Sequence, residues 1–220
     1  MNLCLDRVLD IVALREFRAT LAQLPFADGA ATAGWHARAV KHNLQARHPQ
    51  LGVRLQQALQ AHPLLQAAAL PARMREPLFS RCLPGMGYDN HVDDALMGHQ
   101  EPLRTDLAVT VFLSDPADYD GGELVLDSHS GVQAYKLNAG QALLYPATTV
   151  HRVEPVVRGE RLVAVLWIQS FVRDASQREV LFDLDTARRQ VWEQAGGRAT
   201  PTFELLAKTY ANLLRAWAQT

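Results

Sequence analysis

Arg161-Leu162-Val163-Ala164-Val165-Leu166-Trp167-Ile168-Gln169 reads as a β-strand that begins on a charge. Successive side chains of a strand point to opposite faces, so Arg161, Val163, Val165, Trp167 and Gln169 share one side. Most of that set is apolar, which makes it an inner face with a guanidinium at its end. An unpaired guanidinium in such a place is costly. A bound dicarboxylate offsets the cost, and the planar fork of arginine takes a carboxylate with two parallel hydrogen bonds. The plain alternative is a structural salt bridge to Glu123 or Glu160.

Upstream of Arg161 lies His151, on another short predicted strand, and well before both comes His91-Val92-Asp93. If that tripeptide is extended, His91 and Asp93 face one way and Val92 the other. Two imidazoles and one carboxylate are the donor set of a facial triad on non-haem iron(II), which leaves three open coordination positions. The keto and C1-carboxylate oxygens of 2-oxoglutarate suit two of them and dioxygen the third, with the far carboxylate directed to Arg161. His-x-Asp alone is a weak signal that occurs by chance in many proteins, and from three residues the plainer reading is a loop Asp capping a turn beside a surface His. The distal His151, the trailing Arg161 and Gly121-Gly122-Glu123 between the two halves favour the metal site.

The same period of two recurs from residue 78 onward. Candidate strands are 78–83, 106–113, 122–126, 133–137, 141–145, 151–153 and 161–170. Pro84-Gly85, Asp115-Pro116, Asp120-Gly121-Gly122, Asn138-Ala139-Gly140 and Arg158-Gly159 punctuate them with turn chemistry. Many short strands at this spacing indicate a sandwich or jelly roll. Helical spacing flanks the roll. Residues 10–24 place Ile11, Leu14, Phe17, Leu21 and Leu24 on one face with Asp10 as N-cap, and a second stretch over 52–69 breaks or kinks at Pro63 and closes at Pro71. Val40-Lys41-His42-Asn43 reads as a short polar strand or a loop. After Phe171, Asp174-Ala175-Ser176-Gln177 resembles a capping box and Leu181, Leu184, Ala187 and Val191 share a face. Gly196-Gly197 stops that helix. Thr200-Pro201 opens another, with Leu206, Tyr210, Leu213, Leu214 and Trp217 on one stripe. The expected division is a helical supporting region over 1–73, a β-roll over 74–172 and a helical appendage over 173–220. The class is α+β, mainly β.

Composition narrows the function classes. The 220 residues are 48% apolar, enough for one full core and a small appendage. A net charge of −1 gives no reason to propose a nucleic acid or an anionic membrane as partner. Cys4 and Cys82 offer no disulfide framework and suit a reducing compartment. No segment approaches the roughly 20 apolar residues of a membrane span, and the N-terminus lacks the pattern of a signal peptide. The expectation is a cytoplasmic protein.

Tyr88-Asp89-Asn90-His91-Val92-Asp93 resembles the Tyr-x-x-His-x-Asp segment of prolyl-hydroxylase-type oxygenases. Longer runs are similar to the PKHD-type hydroxylases, the bacterial PiuC/YbiX group. These are Arg104-Thr105-Asp106-Leu107, Phe112-Leu113-Ser114-Asp115-Pro116, Tyr119-Asp120-Gly121-Gly122-Glu123-Leu124, and Leu144-Tyr145-Pro146 followed by His151-Arg152-Val153. Trp167-Ile168-Gln169-Ser170 and Leu181-Phe182-Asp183-Leu184-Asp185 carry the likeness into the tail. The resemblance implies a double-stranded β-helix, iron(II) on His91, Asp93 and His151, and 2-oxoglutarate on Arg161. It also implies ascorbate as a reductant for oxidised iron, a homodimer, and a link to iron uptake and siderophore handling. Tyr88 either lines the cosubstrate pocket or packs. Prolyl hydroxylases commonly carry Arg-Tyr on the strand before the first ligand; this chain has Arg81-Cys82, which leaves a hydroxyl contact to the cosubstrate open.

The expected reaction is hydroxylation of an unactivated C–H bond of a small molecule or peptide, with release of succinate and carbon dioxide. The alternatives are a cupin-like metal enzyme without 2-oxoglutarate and a non-catalytic sensor of iron or 2-oxoglutarate. The remaining candidates have plainer readings. His36, His42, His48, His62 and His129 read as surface or loop residues, and His99, within a lid over 97–104, as exposed or as a substrate contact. Gly121-Gly122 reads as a tight turn, Trp167 as core or a neighbour of the iron, and Cys82 as a small buried hydrophobe.

Overall fold

Strand 161–170 forms over its full expected length and runs through the middle of the larger of two main antiparallel sheets, which two small two-stranded ribbons accompany. The computed structural model describes residues 1–32, 37–98, 100–128 and 131–219. The elements that matter here, in chain order, are β1 (Leu3–Leu5), α1 (Ile11–Ala22), β2 (Lys41–His42), β3 (Leu44–Ala46), α2 (Pro49–Gln60) and α3 (Pro63–Ala69). They continue with β4 (Leu78–Cys82), β5 (Gly87–His91), β6 (Leu107–Phe112), β7 (Leu124–Ser128), β8 (Gly131–Tyr135) and β9 (Ala142–Pro146). β10 (Val150–Val153), β11 (Arg161–Ser170), α4 (Ala175–Gln194) and α5 (Pro201–Trp217) complete the set. The larger sheet has the order β1-β9-β6-β11-β4-β3, with Ala27–Asp28 at its edge and Pro71–Met74 joined to the far end of β11. The smaller sheet has the order β8-β7-β10-β5-β2. The two sheets form the expected double-stranded β-helix.

Alternation sorts the side chains of β11 between two cores. Leu162, Ala164, Leu166 and Ile168 face outward and pack under α1, α2 and α3, against Leu14, Phe17, Leu21, Leu55, Leu59 and Leu65. Val163, Val165 and Trp167 face inward with Ala108, Phe112, Leu124, Leu126 and Tyr145. Both faces of β6 are covered, so all six of its residues are buried. The helices therefore supply the outer wall that lets the larger sheet be apolar on both sides.

Local capping explains where the helices start. Asp10 Oδ1 accepts from Ala13 N at 2.8 Å, as the sequence suggests. Ile11 does not follow its helix face inward; it is the first residue of the helix and is 60% exposed. The 52–69 stretch is two helices, each opened by a proline at its first turn. His48 and His62, read from sequence as surface or loop residues, are the caps: their Nδ1 atoms accept from Leu51 N at 3.2 Å and Leu65 N at 3.5 Å. Leu70 closes α3 in the left-handed conformation. Of the expected capping box at 174–177, one half is formed, with Asp174 Oδ1 accepting from Gln177 N at 2.8 Å.

The C-terminal helices form a hairpin that leans on this outer wall. Leu181 is fully buried and Phe182 packs against the outer core. Arg178 is buried and donates to the carbonyls of Val172 and Arg173, both at 2.7 Å. α5 packs on α4 through Trp192–Phe203 and Arg188–Tyr210, and its apolar stripe is only half-buried. Several short strands carry little sequence signal. β1, Pro71–Met74 and Val156–Gly159 have no sustained alternation and exist because a neighbouring edge offers them hydrogen bonds. The 97–104 stretch expected as a lid contains one arm of a small hairpin, Leu96–Met97 with Leu103–Arg104. His36, His99 and His129 lie outside the described residues.

Candidate active site

β5 and β10 are neighbours in the smaller sheet, and His91 and His151 are register partners across them. That pairing sets the imidazoles side by side, with ring centroids 4.1 Å apart. His91 is the last residue of β5, so Asp93 lies past the strand and not within it as the i, i+2 argument supposed. Its carboxylate nonetheless turns inward: Asp93 Oδ1 is 3.9 Å from His151 Nε2, and both side chains are almost fully buried. One ligand atom from each of His91, Asp93 and His151 lies within 4.8 Å of the others.

Both histidines are oriented in the same way. His91 Nδ1 is 2.8 Å from the Asp89 carbonyl, and His151 Nδ1 is 2.9 Å from the Thr149 carbonyl. A carbonyl can only accept, so each Nδ1 carries a proton, and in the neutral ring it is Nε2 that offers its lone pair to a metal. Tyr88 stacks flat on His91 at 3.5 Å, and Tyr145 meets His151 edge-on at 5.4 Å. Burial pushes the Asp93 carboxyl above its ordinary range, while His151 and the Trp167 indole pull it down. Asp93 Oδ2 is buried without a hydrogen-bond partner. Two imidazoles with Nδ1 committed to backbone carbonyls and one carboxylate with an unsatisfied oxygen fit a divalent cation with nitrogen and oxygen preference.

Arg161 opens β11 opposite Cys82 on β4 and is 2% exposed. The salt bridge that was its plain alternative is not made: Glu160 pairs with Arg81 at 3.4 Å, and Glu123 lies 4.0 Å from Lys136. Among the described residues no carboxylate pairs with Arg161, and its Nε has no hydrogen-bond partner. Its guanidinium carbon sits 5.9 Å from the centre of the Phe112 ring. Behind it, Gly122 has φ of +67°, and a Cβ there would come within 3.0 Å of Arg161 Cδ and of the Tyr119 ring. The double glycine is thus a tight turn, as read, and also the space into which Arg161 packs.

His91, Asp93, His151, Arg161 and Tyr88 all line one cavity of about 670 Å³. Trp167 lines it as well, so its inward parity does bring it beside the triad. Sequence reasoning missed Thr110 and Tyr145, whose hydroxyls are 3.5 Å apart on the same wall. Burial raises the Tyr145 phenol well above its ordinary value, and both Asp93 and Arg161 act on it electrostatically. Parity could have found them: Thr110 shares its strand face with Ala108 and Phe112, and Tyr145 pairs with Ala108 across the sheet. Lys41 and Arg75, also on the wall, gave no comparable signal. His42, His48 and His62 stand apart from the cavity.

Comparison with known proteins bears on this arrangement directly. The family model for the 2OG-Fe(II) oxygenase superfamily matches residues 77–169, and that for the PKHD-type hydroxylase C-terminal domain matches residues 175–219. A PKHD-type hydroxylase of Acaryochloris marina is 49% identical over the whole of both chains. One from Colwellia psychrerythraea is 45% identical over 98% of each. Among solved structures, a Pseudomonas putida prolyl-4-hydroxylase superposes with a TM-score of 0.55 at 18% identity, over 77% of this chain and 92% of that one. HygX from Streptomyces hygroscopicus, solved with nickel and 2-oxoglutarate bound, gives 0.55 at 14% identity, over 78% of this chain and 84% of that one. These two distant structures carry the fold; the full-length relatives carry the family. Near-half identity from end to end, on a roll that buries two histidines and an aspartate together, identifies this chain as an oxidoreductase of the 2-oxoglutarate- and iron(II)-dependent oxygenases, belonging to the PKHD-type hydroxylases.

Proposed function

We propose that His91, Asp93 and His151 hold one iron(II), that Arg161 anchors 2-oxoglutarate, and that the enzyme hydroxylates an unactivated C–H bond of a small-molecule or peptide substrate. One observation carries the reading. A buried arginine without a carboxylate partner shares a cavity with two imidazoles whose Nδ1 protons are already committed to backbone carbonyls. The protein has a cation in need of a dicarboxylate and a lone-pair set in need of a metal, in the same space.

When bound, iron(II) with 2-oxoglutarate and dioxygen supplies the oxidising power for the hydroxylation, with succinate and carbon dioxide as coproducts. The chain's own residues do the rest. The carbonyls of Asp89 and Thr149 keep both imidazoles in the metal-binding tautomer, and the stacked Tyr88 ring holds His91 in place. Arg161 sets the cosubstrate's orientation with its fork. Phe112, Val163 and the covered faces of β6 and β11 keep water from the anchored carboxylate, where the ion pair is correspondingly stronger. The Tyr145 and Thr110 hydroxyls offer neutral hydrogen bonds on a wall where Cys82 cannot.

The reading extends further. Ascorbate serves as the reductant that returns oxidised iron to iron(II), and the substrate belongs to iron or siderophore metabolism; both rest on the family likeness. The free thiols Cys4 and Cys82 suit a cytoplasmic location. No helix among the described residues is long and apolar enough to cross a membrane. Residues 1–73 support the catalytic roll at 74–172, and 173–220 form a packing and dimerisation element through the half-buried stripe of α5. Light scattering tests the dimer, and a monomer at high micromolar concentration refutes it. Succinate formation tests the function: iron- and 2-oxoglutarate-dependent succinate separates this reading from a non-catalytic sensor and from a cupin-like enzyme.

A further inference from the structure

The cavity has a charge balance unlike that of the chain. The whole protein carries 22 Lys and Arg against 23 Asp and Glu. The described cavity wall carries Arg38, Lys41, Arg47, Arg75 and Arg161 against Asp93 and Asp94 alone. The occupants already assigned do not use this excess. The two positive charges of iron(II) offset the two negative charges of 2-oxoglutarate, and Arg161 offsets Asp93. Four cations then remain against Asp94, with Glu76 3.4 Å from Arg47 and Asp28 acting on Lys41 from outside the cavity wall, so among the described residues the cations still outnumber the carboxylates around them.

These four cations come from two places in the chain, the 38–47 segment and the start of the 75–78 connection, and gather on one wall. Lys41 is only 8% exposed, so a charged group is held close to the cavity interior. Arg75 Nη1 donates to the Met97 carbonyl at 3.1 Å, which ties the guanidinium to one position with further N–H groups beyond the one that bond uses. Val92, Leu96 and Met97 line the same cavity, and Val92 and Leu96 are 48% and 63% exposed. An apolar strip therefore accompanies the cationic wall. At about 670 Å³ the cavity is of the size that encloses a drug-sized ligand, and 2-oxoglutarate fills only part of it.

We propose that the substrate is a small organic anion, its carboxylate or phosphate group held by the Arg38–Lys41–Arg47–Arg75 wall and its apolar body laid against Val92, Leu96 and Met97. This rests on the reading of the triad and Arg161 given above. The wall orients the molecule, so that the C–H bonds of the apolar body, and not the charged end, are the ones carried toward His91, Asp93 and His151. Attraction to four cations also draws anions into the cavity mouth and disfavours amines.

Manganese(II)-loaded enzyme saturated with 2-oxoglutarate tests this under anaerobic conditions, with paramagnetic relaxation of probe protons as the readout. The probes are phenyl phosphate and phenylacetate, which separate the two anion types, with phenethyl alcohol and phenethylamine as neutral and cationic matches. At least one anion should bind with relaxation enhancement of its ring protons, at least tenfold more tightly than either match. Raising the salt should weaken it, because the rim is solvated. The Arg38→Gln/Arg75→Gln double variant should lose about tenfold in anion affinity, the equivalent of about 1.4 kcal/mol, and Arg75→Gln alone several-fold. The proposal is overturned if neither anion outcompetes its neutral match, or if the double variant binds the anions as the wild type does. Titration of 2-oxoglutarate on the same samples separates the levels. Normal cosubstrate binding with no anion preference removes this inference alone, whereas failure to bind 2-oxoglutarate removes the reading beneath it as well.

Discussion

Replacing Arg161 by methionine should make the protein more stable without 2-oxoglutarate and less stable with it. The guanidinium is 2% exposed and its Nε is unpaired. Tyr119 and Cys82 lie against it, but neither supplies the charge of a carboxylate. A buried ion without a counter-ion is a net cost, whereas methionine fills similar space with apolar atoms that adapt to Phe112 and Val163. Leaving a buried donor unsatisfied costs about 1–3 kcal/mol, and the neighbouring hydroxyl argues for the lower end. A gain of about 1 kcal/mol corresponds to a rise of roughly 2–4 °C in Tm for a chain of this length. 2-Oxoglutarate reverses the order. At about 100 times its Kd it stabilises the wild type by about 2.7 kcal/mol, and the variant forfeits most of that. Arg161→Lys keeps the charge and loses the fork; forgoing a charge-assisted bond of about 1.5–3 kcal/mol weakens 2-oxoglutarate roughly ten- to a hundredfold. Thermal melts of manganese-loaded protein, with and without 2-oxoglutarate, read the crossover, and anaerobic titration of the iron–2-oxoglutarate charge-transfer band reads the affinity. If Arg161→Met melts below the wild type without ligand, the argument from an uncompensated cation is wrong. If both variants keep wild-type affinity, the anchor is elsewhere.

The remaining expectations concern the groups around that anchor. His91→Ala, Asp93→Ala and His151→Ala should each abolish tight iron binding, since two ligands cannot hold a labile divalent ion against a chelator; full occupancy by elemental analysis after dialysis against chelator removes that residue from the set. Gly122→Ala forces a side chain into φ of +67° and against Arg161 Cδ. It should cost about 1–2 kcal/mol of stability and weaken 2-oxoglutarate while leaving iron in place; unchanged cosubstrate affinity in the folded variant counts against the packing argument. Burial, opposed by Asp93, pushes Lys41 down to about 8, against about 10.4 in an unfolded chain. Between those values the unfolded state binds more protons, so this residue's cost to stability is present at pH 7 and relieved as pH rises through that window. Lys41→Met should therefore be more stable than the wild type at pH 7 by a margin that shrinks by pH 10. A margin independent of pH shows that Lys41 is not the group responsible.

Much of this could be read along the chain, because it depends on neighbours a few residues apart. The alternation in 161–170 and 106–113 specifies strands whose two faces are both apolar, and so a sheet covered on both sides. Asp10, Asp174 and Thr200 cap the helices they precede through hydrogen bonds three residues long. Residue types and order also singled out His91, Asp93 and His151 as a candidate donor set, which the fold brings within 4.8 Å of one another, since only side chains with lone pairs of the right kind can bind a metal. The tertiary structure decided what depends on separation in space. β5 has no alternation to announce it and forms because β10 and β2 offer it hydrogen bonds, and the register of that pairing is what brings His91 to His151. Asp93 joins them from beyond the strand end, where no periodic rule applies. Arg161 lacks a carboxylate partner because Arg81 and Lys136 take Glu160 and Glu123. The cationic wall arises because the 38–47 segment pairs with an edge of each sheet, through Lys41–His42 and Leu44–Ala46, and so lines the same cavity as Arg75. Periodicity reports which way a side chain faces its own backbone; which charges cancel, and which are left for a ligand, is settled by packing segments that the chain keeps far apart.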